Sequence, residues 1–451
     1  MGRNIIDILL TYRQKRRRHG IGSWRIAGRV NRIGAEVVDS HTDIATAFCP
    51  FDQATQDDYV AMLERARAER IFYSPYLSAW VIARYDDIDA VLRDPVGFSS
   101  KGVLPASTEP DVREAIAGVV APEGTLIGWD PPDHTRLRSA LAAAFTPKRA
   151  AGLEPTIREL CDQLIDEMAA DTPFDLHTAF SRQLPISVVF ALIGIPPDRW
   201  DFCQAGSIDM IALQTADVAS LDGPRKQAVI DSTLEFHRYI AELIEQRRVE
   251  PKDDLISAVW AARREAQIEL SDYEMLSLFP GLIFAGHETT AILISTSVHL
   301  LLSDRRRWQS VVESGAVSRA AIEEFLRFEA PISGFSRTVT TDVELAGRRL
   351  KAGERVFLLY SAGNHDPERF ADPDDLDLER RPQSTHLAFG RGPHFCIGAP
   401  VARLEAKVAI ERLAARLPGL QLADPAPRWL PDYNLRHLDQ LTVSFASGTS
   451  S

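Results

Sequence analysis

Phe389-Gly390-Arg391-Gly392-Pro393-His394-Phe395-Cys396-Ile397-Gly398 is the stretch whose reading decides the fold. Three glycines bracket a cysteine that stands just before residues 399–413, a segment of helical periodicity. Glycine accepts positive φ and allows close backbone approach, so amide N–H groups can turn toward the sulfur. A helix starting near Ala399 brings its positive dipole end to the same atom. Both effects favour thiolate over thiol, and thiolate is the form that binds metal. Phe389 is placed to screen one side of the sulfur from water. An isolated cysteine in a turn is more often a small structural hydrophobe. The spacing F-G-x-G-x-H-x-C-x-G is long and demanding, which speaks against that reading.

Upstream, Ser271 followed by Glu274 is a capping-box signature, and apolar periodicity then runs to Leu302. A helix of about thirty residues would be roughly 45 Å long. Its middle holds Ala285-Gly286-His287-Glu288-Thr289-Thr290. A membrane span would place that polar cluster near mid-bilayer at high cost, so the segment is a core helix and no transmembrane segment is expected. Glu288 and Thr289 can be read as residues that bond locally within the helix, as buried polar groups must. A zinc reading of His287-Glu288 as the start of H-E-x-x-H fails, because position 291 is alanine.

The two stretches together resemble the cytochrome P-450 family: the first its haem-binding loop, the second its A-G-x-(D/E)-T signature. The resemblance runs from about residue 80 to residue 445 and implies a mainly α fold with a small β portion. It makes Cys396 the axial ligand of haem b (iron protoporphyrin IX), a thiolate whose electron donation favours O–O cleavage, with Phe389 and Gly398 flanking it. Ala285 and Gly286 would leave room for O2 as co-substrate. Thr289 would hold a water or the bound oxygen, and Glu288 would relay protons inward. In Glu324-Phe325-Leu326-Arg327 an acid and a base lie three apart on one helical face. Such pairs are mostly surface decoration, but the family buries this one and joins it to a later arginine, here Arg380. The haem's two carboxylates need cationic partners. The matching residues are His134 and Arg138 in DHTRLR, Arg337 in FSRTV, and His394. Phe335 stands where some relatives carry a polar residue. Gly281, Phe284, Ile332 and Phe335 are expected to line the pocket of a small hydrophobic or aromatic substrate, undergoing hydroxylation or oxidative dealkylation.

The remainder of the chain agrees with that expectation. It has 451 residues, 45% apolar and 25% charged, with a net charge of −12 that repels nucleic acid. The basic run within residues 12–19 reads as a solvated terminus. Four cysteines without CxxC suit a reducing, cytoplasmic compartment. The reading divides the chain into an N-terminal extension (1–40), one haem-thiolate domain (41–446) and a short disordered tail (447–451). Residues 80–85 (WVIARY), 343–345 and 355–359 read as strands. Residues 87–92, 133–145 and 319–328 read as helices, residues 99–125 as a long surface loop, and residues 361–395 as irregular chain. No flavin or nicotinamide fingerprint and no C-x4-C-x2-C iron–sulfur spacing is present. Electrons must then come from a ferredoxin or flavodoxin with its reductase, NAD(P)H acting only indirectly, on a monomer with a local basic patch near the cysteine. A peroxide-driven enzyme and a haem-based sensor are the competing readings, and the Glu288–Thr289 pair argues against both.

Overall fold

The computed structural model describes residues 43–103, 110–117, 126–168, 173–213, 221–381, 385–432 and 434–445. The expected extension at 1–40, with its basic run, and the tail at 447–451 lie outside these residues.

A 31-residue helix, Asp272–Leu302, organises the molecule. Both halves of its capping box form: the Ser271 side chain accepts from the Glu274 amide, and the Glu274 carboxylate accepts from the Ser271 amide. Its second half, from Leu293, packs in one hydrophobic cluster with helices Glu154–Met168, Arg319–Phe328 and Ala399–Arg416. Its first half, up to Ile283, packs in another with helices Gln183–Ile193, Gly223–Val249 and Leu255–Glu265. Residues 285–289 fall in the gap where these two cores part. By length and composition this helix is apolar enough to cross a membrane, but most of it is buried within the protein.

A five-stranded sheet has the order Ile71–Ser74, Ala79–Ile82, Arg355–Leu358, Phe335–Val339, Phe98–Ser99. Ala79–Ile82 and Arg355–Leu358 run parallel, and the other pairs are antiparallel. Smaller sheets join Phe174–Asp175, Thr442–Phe445 and Leu420–Leu422, and Val343–Leu345 with Arg348–Leu350. The expected helices form at Tyr85–Arg93, Asp133–Ala144 and Arg319–Phe328.

Residues 99–125 are not loop throughout. Their described part contains helix Pro110–Ile116, whose Val112 and Ile116, one turn apart, pack with Leu213, Val229 and Ile230. The described residues between 361 and 395 are irregular as expected, apart from two short helices, Tyr360–Asn364 and Gly392–His394.

Candidate active site

The cysteine loop closes on itself through hydrogen bonds from the Cys396 amide to the Phe389 carbonyl at 2.9 Å and from the Phe395 amide to the Gly392 carbonyl at 3.1 Å. Gly390 and Gly392 turn the chain with φ of +64° and +63°. At Gly392 the lack of a side chain is a steric necessity. A Cβ there would lie 3.1 Å from the Leu92 carbonyl carbon and 3.2 Å from Arg93 Cα, the end of helix Tyr85–Arg93. Gly398 caps helix Ala399–Arg416, and its Cβ position lies 3.9 Å from Cys396 Sγ. Burial pushes the thiol up. The Gly398 and Ala399 amides and the Arg138 and Arg403 cations act in the other direction, favouring the anion. The Phe389 ring meets that of Phe395 edge-on at 6.3 Å.

Four basic side chains converge beside this loop. Arg138 donates to the Phe395 carbonyl at 2.5 Å, Arg337 is buried and donates to the Ser336 carbonyl at 2.8 Å, and the His134 and His394 rings stack 4.0 Å apart. His394 also pairs with the Ser100 hydroxyl at 3.0 Å. Burial, with Arg138 and Arg337 nearby, holds His134 down at about 4. Burial and the same neighbours, with His134, hold His394 at about 2. Both nitrogens of His134 are buried without a hydrogen-bond partner. A buried, electropositive recess with orphaned donors calls for an anion. The two carboxylates of a haem whose iron meets Cys396 fit that need.

The middle of the long helix supplies the other wall. Ala285 is the one exposed residue between Met275 and Leu302, so the helix opens onto a space at that point. Thr289, one turn on, shares that face, and its hydroxyl donates to the Ala285 carbonyl at 2.8 Å. Ile397, beside the cysteine, packs on the same hydrophobic cluster as Ile283. Gly286 differs from expectation. A Cβ there would come 2.8 Å from Val189 Cγ2, so the space it leaves is filled by helix Gln183–Ile193 and not kept for oxygen. Glu288 is held by Arg182 Nε at 3.5 Å and by the Nε2 atoms of His177 and His287, each at 3.8 Å. Burial raises its carboxyl, but Arg182 and these histidines outweigh that and keep it below the ordinary range. Among the described residues no hydrogen bond joins Glu288 to Thr289 directly.

A family model described as Cytochrome P450 matches residues 316–416. The mycinamicin IV hydroxylase/epoxidase of Micromonospora griseorubida is 37% identical over 371 residues, 81% of this chain and 89% of that protein. The chain belongs to the cytochrome P450 family. The vitamin D(3) 25-hydroxylase of Pseudonocardia autotrophica is 36% identical, with 76% of this chain and 82% of the relative covered. The solved structure of cytochrome P450 CYP109Q5 from Chondromyces apiculatus superposes with a TM-score of 0.78 at 32% identity, over 88% of this chain and 98% of that one. This protein is thus a P450 enzyme, a haem-dependent monooxygenase that uses O2 and draws on NAD(P)H through redox partners.

The P450 ion network is present as geometry. Arg327 forks onto both oxygens of Glu324 at 2.8 Å, and Arg380 Nε reaches the same carboxylate at 3.1 Å. Arg327 and Arg380 also grip carbonyls of residues 371–375, which tethers the irregular chain leading to the cysteine loop. Gly281 is buried, and Phe284 packs on the first-half core. Ile332 bridges to Leu435, and Phe335 meets Tyr360 edge-on at 6.3 Å within the sheet cluster. Sequence reasoning missed Ser100, His177 and Arg182. The last two sit at and just after a π-helical turn, His177–Ser181, and nothing in the linear pattern ties them to Glu288. Near the cysteine loop, Arg391, Arg403, Lys407 and Arg412 each carry a carboxylate partner.

Proposed function

We propose that this P450 hydroxylates a hydrophobic natural-product-like substrate in the cytoplasm, with residues 41–446 acting as one haem domain served by a ferredoxin or flavodoxin. The observation that carries the reading is the opening at Ala285, with Thr289 on the same face, in the middle of an otherwise buried helix. Cys396 would hold the iron of haem b, and His134, Arg138, Arg337 and His394 would hold its carboxylates. When bound, the haem supplies the oxygen-activating and oxidising chemistry. Thr289, its own proton committed to the Ala285 carbonyl, presents lone pairs to the space and can hold a water there. Glu288, ionised between Arg182, His177 and His287, can accept a proton from the solvent side and deliver it by rotating toward Thr289.

The relatives' names, mycinamicin and vitamin D(3), favour a substrate bulkier than a simple aromatic. The apolar side chains Phe284 and Ile332, both half-buried, suit apolar and not charged groups. The test is spectral titration of the ferric protein with a graded panel from small aromatics to macrolides and secosteroids. Steady-state NAD(P)H oxidation with a ferredoxin system, matched to product, follows. Displacement of axial water and coupled product from the bulky members support the reading. Binding confined to small aromatics, or binding without turnover, overturns it.

A further inference from the structure

Glu323 precedes the network residue Glu324 on helix Arg319–Phe328, yet it serves a different cluster. It is buried, and Arg403 donates to it through Nε at 2.6 Å and Nη2 at 2.9 Å. His386 Nε2 lies 3.0 Å from the same carboxylate, while its Nδ1 accepts from the Ala388 amide at 3.3 Å. That pairing fixes the tautomer: Nε2 carries the proton and donates to Glu323. Burial keeps His386 below its ordinary value and hence neutral. Burial pushes the Glu323 carboxyl up, but the bonds from His386 and Arg403 hold it at about 2. Arg403 is therefore the near cation that balances Glu323, with the exposed Arg319 at 4.0 Å.

Two of the three meet Phe389, and Glu323 bonds both of those. The Arg403 guanidinium lies over its ring, 4.5 Å from the centroid. The His386 ring packs beside it at 5.8 Å. The backbone of Phe389 in turn accepts the Cys396 amide at 2.9 Å. Helix Ala399–Arg416 and the segment just before the loop thus each bring a side chain onto one aromatic ring, and Glu323 on helix Arg319–Phe328 bonds both side chains. The Arg403 cation also favours the Cys396 anion directly, so only a substitution that keeps the charge isolates the geometric effect.

We propose that Glu323, His386 and Arg403 form a positioning clamp that fixes Phe389 against the Cys396 loop and so sets how strongly the sulfur donates to bound iron. The proposal rests on Cys396 being the iron ligand. The physical link is solvent access: the apolar shell and the outer hydrogen bonds around a metal ligand control its local dielectric and redox potential. Lysine at 403 would keep the charge opposite Glu323 but lose the planar fork that both bonds the carboxylate and lies on the ring.

The experiment measures the ferric–ferrous midpoint potential and the reduced carbon monoxide spectrum of haem-loaded wild type, R403K, E323Q, F389L and R403K/F389L. R403K and F389L should each change the reduction equilibrium by about threefold, the scale of a partly buried cation–aromatic contact. E323Q, which loosens the fork, should move it in the same direction as R403K. The double variant should match F389L alone, because a residue acting through Phe389 has nothing further to move. An unchanged potential in R403K overturns the clamp, as does a shift that adds in full on F389L. Failure of R403K to load haem also overturns it, by making Arg403 a residue needed for the fold. A wild type with no thiolate-type spectrum overturns the ligand assignment itself, an outcome distinct from a thiolate spectrum that ignores R403K.

Discussion

Replacing Arg327 by methionine keeps most of the side-chain volume and removes the guanidinium. That group is 2% exposed and makes five hydrogen bonds: two to Glu324 at 2.8 Å, and one each to the carbonyls of Asn364 at 2.9 Å, Pro373 at 2.7 Å and Asp375 at 3.3 Å. The Glu324 side chain, also 2% exposed, would keep only Arg380 and the Asp377 amide at 3.0 Å. Breaking a buried pair by removing one partner costs about 3–5 kcal/mol, since it strands a charge away from water. The surviving Arg380 contact places the expected loss in the lower half of that range. An exposed pair gives the internal comparison. Arg349–Asp342, 2.9 Å apart with side chains 76% and 46% exposed, should cost little when Arg349 becomes methionine. Urea unfolding of the haem-loaded proteins, with haem per chain measured alongside, reads both. R327M should show a much lower midpoint at an unchanged slope and reduced haem retention, while R349M stays close to wild type. An R327M protein with the wild-type midpoint and full haem would refute the tethering role.

Thr289→Ala removes a hydroxyl bonded only to the Ala285 carbonyl, so haem content should hold while peroxide formed per NAD(P)H consumed rises. Unchanged coupling would reject a part for Thr289 in proton handling. Gly392→Ala must place a side chain at φ +63° against the end of helix Tyr85–Arg93, a left-handed cost of about 1–2 kcal/mol plus the clash. A several-fold fall in haem per chain is expected, and wild-type occupancy would refute the close approach. The bond from Arg136 holds Glu274 down at about 2, against an ordinary 4.5. A depressed carboxylate stabilises fully above 4.5, and its contribution is lost as pH falls toward about 2. Glu274→Gln should therefore destabilise at neutral pH, with the gap from wild type closing across that acid window. A gap independent of pH would show that the ion pair contributes nothing.

What was legible in the sequence was local. The capping box at Ser271 and Glu274, the helix Arg319–Phe328 and the glycine pattern around Cys396 each announce themselves within about ten residues, and each stands where expected. Elements made by distant partners were not legible. Strand Phe335–Val339 exists because Arg355–Leu358 flanks one edge and Phe98–Ser99, more than two hundred residues earlier, the other. Helix Pro110–Ile116 hid in a stretch rich in turn formers, because its two apolar anchors find their cover on helix Gly223–Val249. The site divides in the same way. Residue types and spacing marked Cys396, Glu288 and Thr289, and the family resemblance marked the Glu324–Arg327 pair. The partners that set their state came from other segments: Arg182 and His177 for Glu288, and Arg403 for Phe389. Gly286 shows the converse hazard, since a small residue beside a reactive motif served helix packing.

The most direct measurement is the reduced carbon monoxide difference spectrum of the purified protein beside Cys396→Ala. The wild type should show the long-wavelength band of a thiolate-ligated haem, and the variant should lose it. A wild-type band at the position of a nitrogen-ligated haem, or a thiolate band that survives in Cys396→Ala, would contradict the assignment of that sulfur to the iron.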